Sequence, residues 1–114
     1  DVEPKVFAEL LRFIYTDSVQ ELDSMALELL QVADRYDLGT LRAMCERSLG
    51  AHICEESAIE TLITANLYRA DQLKRATIEF IQRNVKVLSS DKWKDLWRVN
   101  FDLANEVLIR LISK

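Results

Sequence analysis

Apolar residues recur at intervals of three and four along almost the whole chain, a spacing that predicts seven helices and no convincing strand. The first helix is expected from Pro4 to about Tyr15. Proline suits the first helical position, Glu3 complements the positive end of the helix dipole, and Val6, Phe7, Leu10, Leu11, Phe13 and Ile14 form a stripe broad enough for burial on more than one side. Thr16 to Asp23 breaks the pattern and reads as a loop. Asp23 or Ser24 is expected to cap a second helix reaching about Tyr36. Asp37 to Thr40 is then a hinge in which Gly39 supplies conformational freedom. A third helix follows to about Leu49, with Gly50 ending it.

Ser57-x-x-Glu60 matches a capping box ahead of a fourth helix that ends near Tyr68, and a fifth covers about Asp71 to Asn84. Ser89, Ser90 and Asp91 offer caps for a short helix with Trp93, Leu96 and Trp97 on one face, where core packing is the expected role of both rings. Asn100 is expected to cap a last helix to about Ile112. Its stripe is Ala104, Val107, Leu108, Leu111 and Ile112, with Leu103 and Ile109 well off it. A terminal helix apolar on more than one side calls for a second partner, either further sequence or another subunit.

One segment occurs twice, 32 positions apart. Ala26, Glu28, Leu30, Ala33, Tyr36 and Leu41 have identical counterparts in Ala58, Glu60, Leu62, Ala65, Tyr68 and Leu73. The second arms share a stripe: Leu41, Met44, Cys45 and Leu49 against Leu73, Ala76, Thr77 and Ile81. A repeated helical pair predicts an all-α fold of stacked helical hairpins, which organise contacts rather than perform chemistry. The equal placing of Tyr36 and Tyr68 suggests a packing role for both rings.

The 114 residues suffice for one domain with a real core, and 49% apolar content argues against disorder. A formal charge of -4 provides no basic footprint for nucleic acid. Arg35, Arg42, Arg47, Lys74, Arg75 and Arg83 share their faces with Asp34, Asp37, Glu46, Asp71 and Glu79, the pattern of a mixed solvated surface. No apolar run approaches the roughly 20 residues that span a bilayer, and no signal peptide is visible. Cys45 and Cys54 read as reduced thiols of an intracellular protein, with Cys45 on a buried stripe.

Cys45-x6-His52-x-Cys54 lacks the short paired spacing of zinc ligands and has no fourth Cys or His to complete it. No glycine-rich turn surrounds either cysteine, and no glycine-rich phosphate loop is present. The acidic pairs Glu55-Glu56, Glu21/Asp23 and Asp34/Asp37 fall at helix ends or on outward positions, where carboxylates cap and solvate. No metal, no cofactor and no enzymatic activity are expected.

Asp1-Val-Glu-Pro-Lys-Val-Phe-Ala-Glu-Leu-Leu-Arg-Phe-Ile-Tyr-Thr-Asp17 resembles the third helix of a BTB (POZ) domain and the F-x5-F-I-Y-T-G signature closing it, with Asp17 in place of the usual glycine. Ala26 to Leu38 and Leu41 to Glu46 are similar to the closing helix pair of that domain. The segment from Glu56 through Ile81 resembles the 3-box and first part of a BACK domain, and Lys92-Trp93-Lys94 with the final helix looks like that region in MATH–BTB proteins. The resemblance implies two parts, residues 1–51 from the helical end of BTB and residues 52–114 from 3-box and BACK-like helices.

It further implies a nuclear or cytoplasmic substrate adaptor of a cullin-3 ubiquitin ligase. The alternative is a BTB-type oligomerisation module without cullin binding. The cullin-3 N-terminal region would meet Tyr15, Thr16, Asp17, Tyr36, Asp37, His52, Ile53 and Glu55. A MATH domain outside this sequence would hold the substrate, as the front half of the BTB domain would also lie outside it. Self-association would use the last helix, at Leu108 by resemblance and at Leu103 and Ile109 by helical position.

Overall fold

In a computed structural model, residues 2–113 are described and fall into two compact units, Asp1–His52 and Ile53–Lys114. Of the described residues 79% are helical, in seven α-helices and one 3-10 turn, with no strand among them.

The first unit contains α1 (Pro4–Thr16), α2 (Leu22–Arg35) and α3 (Gly39–Ala51). Pro4 stands in the first turn of α1, where its missing N–H has no helical partner to lose. Val6, Leu10 and Phe13 of α1 are buried with Ala26, Leu29, Leu30 and Ala33 of α2 and with Leu41 and Cys45 of α3. The stripe of α1 is wider than this core. Phe7, Leu11 and Ile14 remain exposed, because α1 turns a single face toward α2. Glu9, read past in the sequence, is buried on the inner face.

Asp23 and Ser24 do not cap α2. The helix already begins at Leu22, and Glu21, at its cap position, makes no side-chain cap hydrogen bond. Asp23 reaches across instead and accepts the Ser48 hydroxyl at 2.7 Å, joining the start of α2 to the end of α3. Nor does Gly39 supply the hinge. Asp37 takes the left-handed conformation, φ 55°, while Gly39 opens α3, which runs through Gly50 to Ala51. A carboxamide or carboxylate side chain tolerates that backbone better than most, so the turn closes without glycine.

The second unit contains α4 (Ala58–Leu67), α5 (Asp71–Arg83), a 3-10 turn over Val85–Ser89 absent from the helical pattern, α6 (Asp91–Val99) and α7 (Phe101–Ile112). The expected capping box does not form. The Ser57 hydroxyl accepts from the backbone N–H of Cys54 at 3.1 Å, and Glu60 pairs with Lys92 of α6 at 2.7 Å. Ser90 and Asn100 are working caps, accepting from Trp93 N–H and Leu103 N–H at 3.2 Å each.

Leu62, Ile78, Ile81, Val87, Trp93, Leu96, Leu103, Ala104 and Val107 form the core of this unit. Lys74 stitches it together, with its ammonium 3.1 Å from Asn66 of α4 and 2.9 Å from Glu106 of α7. Two expectations for the last helices are corrected. Trp97 lies at the edge of the α6 stripe and stays exposed, with its ring edge-on to Phe101 at 4.8 Å. The stripe of α7 is displaced toward its start: Leu103 is buried, whereas Ile112 is 82% exposed. Side chains of a helix lean toward its N-terminus, and in the last turn Leu111 still packs against the core while Ile112 does not.

Candidate protein-interaction surface

The two copies of the hairpin turn the chain with the same hydrogen bonds. Tyr36 N–H donates to Val32 O at 3.0 Å, and Leu38 N–H reaches back to Ala33 O at 2.9 Å. The second copy repeats these from Tyr68 to Thr64 at 3.0 Å and from Ala70 to Ala65 at 2.8 Å. Burial repeats as well, since Ala26, Leu30, Ala33 and Leu41 are enclosed like Ala58, Leu62, Ala65 and Leu73. Tyr68 is half-buried, but Tyr36 is 57% exposed, so the two rings do not play the same packing role.

Outside the core the copies differ in chemistry. The second places Ile63 and Leu67, both exposed, where the first has Gln31 and Arg35. These two aliphatics stand one turn apart on α4 and were missed as interaction candidates. Aligning the outward positions of the repeat, rather than its core, was the signal that would have found them.

At the end of α1, Tyr15 is 83% exposed and Thr16 and Asp17 are at the surface. The Thr16 hydroxyl donates to Arg12 O at 2.6 Å and sits 2.8 Å from the Ser18 hydroxyl. Asp17 closes the helix at φ 58°, its N–H donating to Phe13 O at 2.8 Å. That left-handed backbone is a physical reason for glycine at this position of the BTB signature.

Ile14, the neighbour of Tyr15, shares a cleft of about 260 Å³ with Val2, Phe7, Leu10, Tyr36 and Leu38. The end of α1 and the α2–α3 turn thus contribute to one apolar surface. His52 does not join it. It caps the far end of α3, and 13 residues rising about 1.5 Å each set it about 20 Å along the helix from the turn. There its Nδ1 lies 2.8 Å from Ser48 O and its Nε2 3.7 Å from the Asp23 carboxylate. Ile53 packs against the core of the second unit, and Glu55 is exposed in the turn leading to α4.

A BTB/POZ domain is detected over residues 1–53.

The BTB/POZ segment thus covers α1, the first hairpin and the two residues that follow α3, His52 and Ile53. Such domains are modules of protein interaction and self-association and are not catalytic. Burial pushes the Cys45 thiol up to about 12, and Glu46 beside it acts in the same direction, so it stays a protonated core group. Cys54 is exposed, and no cluster of three His, Cys, Asp or Glu suited to a metal occurs among the described residues. Arg42 is engaged by Asp34 and by Glu46. Among the described residues no helix is long and apolar enough to cross a membrane.

Proposed function

We propose that this chain is the adaptor segment of a cullin-3 ubiquitin ligase: the helical end of a BTB/POZ domain followed by a 3-box and BACK-like region, as in MATH–BTB proteins resembling speckle-type POZ protein. The observation that carries this reading is a BTB/POZ match ending at residue 53, followed at once by a second hairpin with the same turn and an apolar outer face at Ile63 and Leu67. Ile63 and Leu67 give the second hairpin an exposed apolar face of its own, the kind of surface a protein partner covers.

On this reading the cullin-3 N-terminal region meets Tyr15, Thr16, Asp17, Tyr36 and Asp37, with His52, Ile53 and Glu55 extending the contact. The substrate protein is held through a MATH domain outside these residues, in the nucleus or the cytoplasm. Ubiquitin transfer then follows from proximity, with no catalytic group supplied here. Self-association is assigned to Leu108 and Ile109 on α7, since Leu103 is enclosed in its own core.

A second reading, oligomerisation without cullin binding, is favoured by the exposed Phe7, Leu11 and Ile14 of α1. The two separate when these residues, joined to a complete BTB front half, are mixed with a purified cullin-3 N-terminal fragment and sedimented. Co-migration supports the adaptor; an oligomer that leaves the fragment behind supports the module.

A further inference from the structure

The connection between α1 and α2 is tied down by one buried acid. Glu9 lies among Val6, Leu10 and Phe13 on the inner face of α1, only 6% exposed. Its Oε1 accepts the backbone N–H of Gln20 at 3.0 Å and that of Glu21 at 3.5 Å, and Arg12 Nε stands 3.5 Å from its other oxygen. Glu21 is the residue from which α2 starts, and its own side chain makes no cap hydrogen bond. A buried carboxylate is costly unless it is bonded, and unpaired amide donors are costly too; each answers the other here. An aliphatic residue at position 9 would widen the apolar stripe but leave both amides without this acceptor.

The connection has few other anchors. Thr16 binds its first residues through Arg12 O and the Ser18 hydroxyl, and Val19 is half-buried, while Asp17, Ser18, Gln20 and Glu21 are exposed. Between the helical end at Thr16 and the start of α2, Glu9 is the side chain from the core that reaches this backbone.

We propose that Glu9 is the positioning residue of the Tyr15–Asp17 surface. By holding Gln20 and Glu21 it fixes the path of the chain leaving Asp17, and so presents Tyr15, Thr16 and Asp17 in one orientation. What docks on that surface rests on the adaptor reading; the strap itself does not.

Amide hydrogen exchange on the whole chain tests the strap, with wild type compared to Glu9→Gln and Glu9→Ala. Glutamine keeps the accepting oxygen and alanine removes it. Exchange at Gln20 and Glu21 should quicken about tenfold in Glu9→Ala and stay within about twofold in Glu9→Gln. Wild-type exchange rates in Glu9→Ala would overturn the proposal. If alanine instead unfolds the unit, Glu9→Gln decides: retained protection at Gln20 and Glu21 supports the strap, and its loss in an otherwise protected unit overturns it.

Binding of a cullin-3 N-terminal fragment to the same three proteins, each joined to a complete BTB front half, tests the positioning. Affinity should drop about tenfold in alanine and return in glutamine. An affinity equal in all three would overturn the positioning role. A fragment bound by none of them counts against the adaptor reading and leaves the strap to the exchange result.

Discussion

Asp37 and Arg69 stand 32 positions apart and hold the same left-handed backbone, φ 55° and 57°, each one residue past the tyrosine that ends its helix. In both hairpins the next residue sends its N–H back to a buried alanine, Leu38 to Ala33 and Ala70 to Ala65. The repeat is therefore a repeat of turn chemistry as well as of apolar spacing. It is built in both copies without glycine at the residue that has positive φ.

That backbone costs an ordinary side chain about 1 kcal/mol and an aspartate less. Arg69→Gly should therefore raise the unfolding free energy by about 0.5–1 kcal/mol, the lower figure reflecting the freedom glycine regains in the unfolded chain. Asp37→Gly should do less. Urea denaturation measures both, and an Arg69→Gly protein less stable than wild type would refute the turn assignment.

The caps give a contrast. Ser90→Ala and Asn100→Ala each remove a side-chain acceptor from a helix start and should cost about 1 kcal/mol. Ser24→Ala, which the sequence offered as a cap, should move stability by less than about 0.5 kcal/mol. Equal losses at all three positions would contradict the observed helix starts.

The two cysteines should separate by reactivity. At pH 8 iodoacetamide should modify Cys54 of the folded chain and spare Cys45, with mass spectrometry locating the adduct. Cys45 also sets a pH limit. Its folded value, near 12, lies above the usual 9.0, so its contribution to stability is complete below about pH 9. Above that the unfolded chain gives up the proton first, and stability falls as the pH climbs toward 12. Cys45→Ala should flatten this alkaline decline. An unchanged slope would assign it to other groups.

The last helix offers a sorting of three leucine-like positions. Leu103→Asp places a charge in the core and should unfold the second unit. Ile109→Asp lies on the exposed side and should leave the circular dichroism unchanged while lowering the mass seen by light scattering; Leu108→Asp should reduce both mass and stability. A wild-type mass for Ile109→Asp would show that this face makes no contact between copies.

Helix number, the hairpin repeat and two of the caps were legible because apolar period and Asn or Ser before a helix act locally. What was not legible depended on contacts across the fold. Glu9 reads as a surface acid until α2 begins beside it, and Asp23 and Glu60 look like caps until Ser48 and Lys92 arrive from other helices. Leu103 and Ile112 exchanged roles because a stripe of seven apolar residues in ten does not fix which edge faces inward. At the candidate surface, the family resemblance named Tyr15, Asp17, Tyr36 and Asp37, but only coordinates bring Ile14 and Tyr36 to one cleft and set His52 at the other end of α3.

Calorimetric titration of a cullin-3 N-terminal fragment into these residues joined to a complete BTB front half addresses the adaptor reading directly, when repeated with Tyr15→Ala and with Ile63→Asp. Saturable binding that each substitution weakens about tenfold or more, with folding intact, is the result the adaptor reading predicts. No heat of binding from the wild-type protein, or an affinity indifferent to both substitutions, would contradict it.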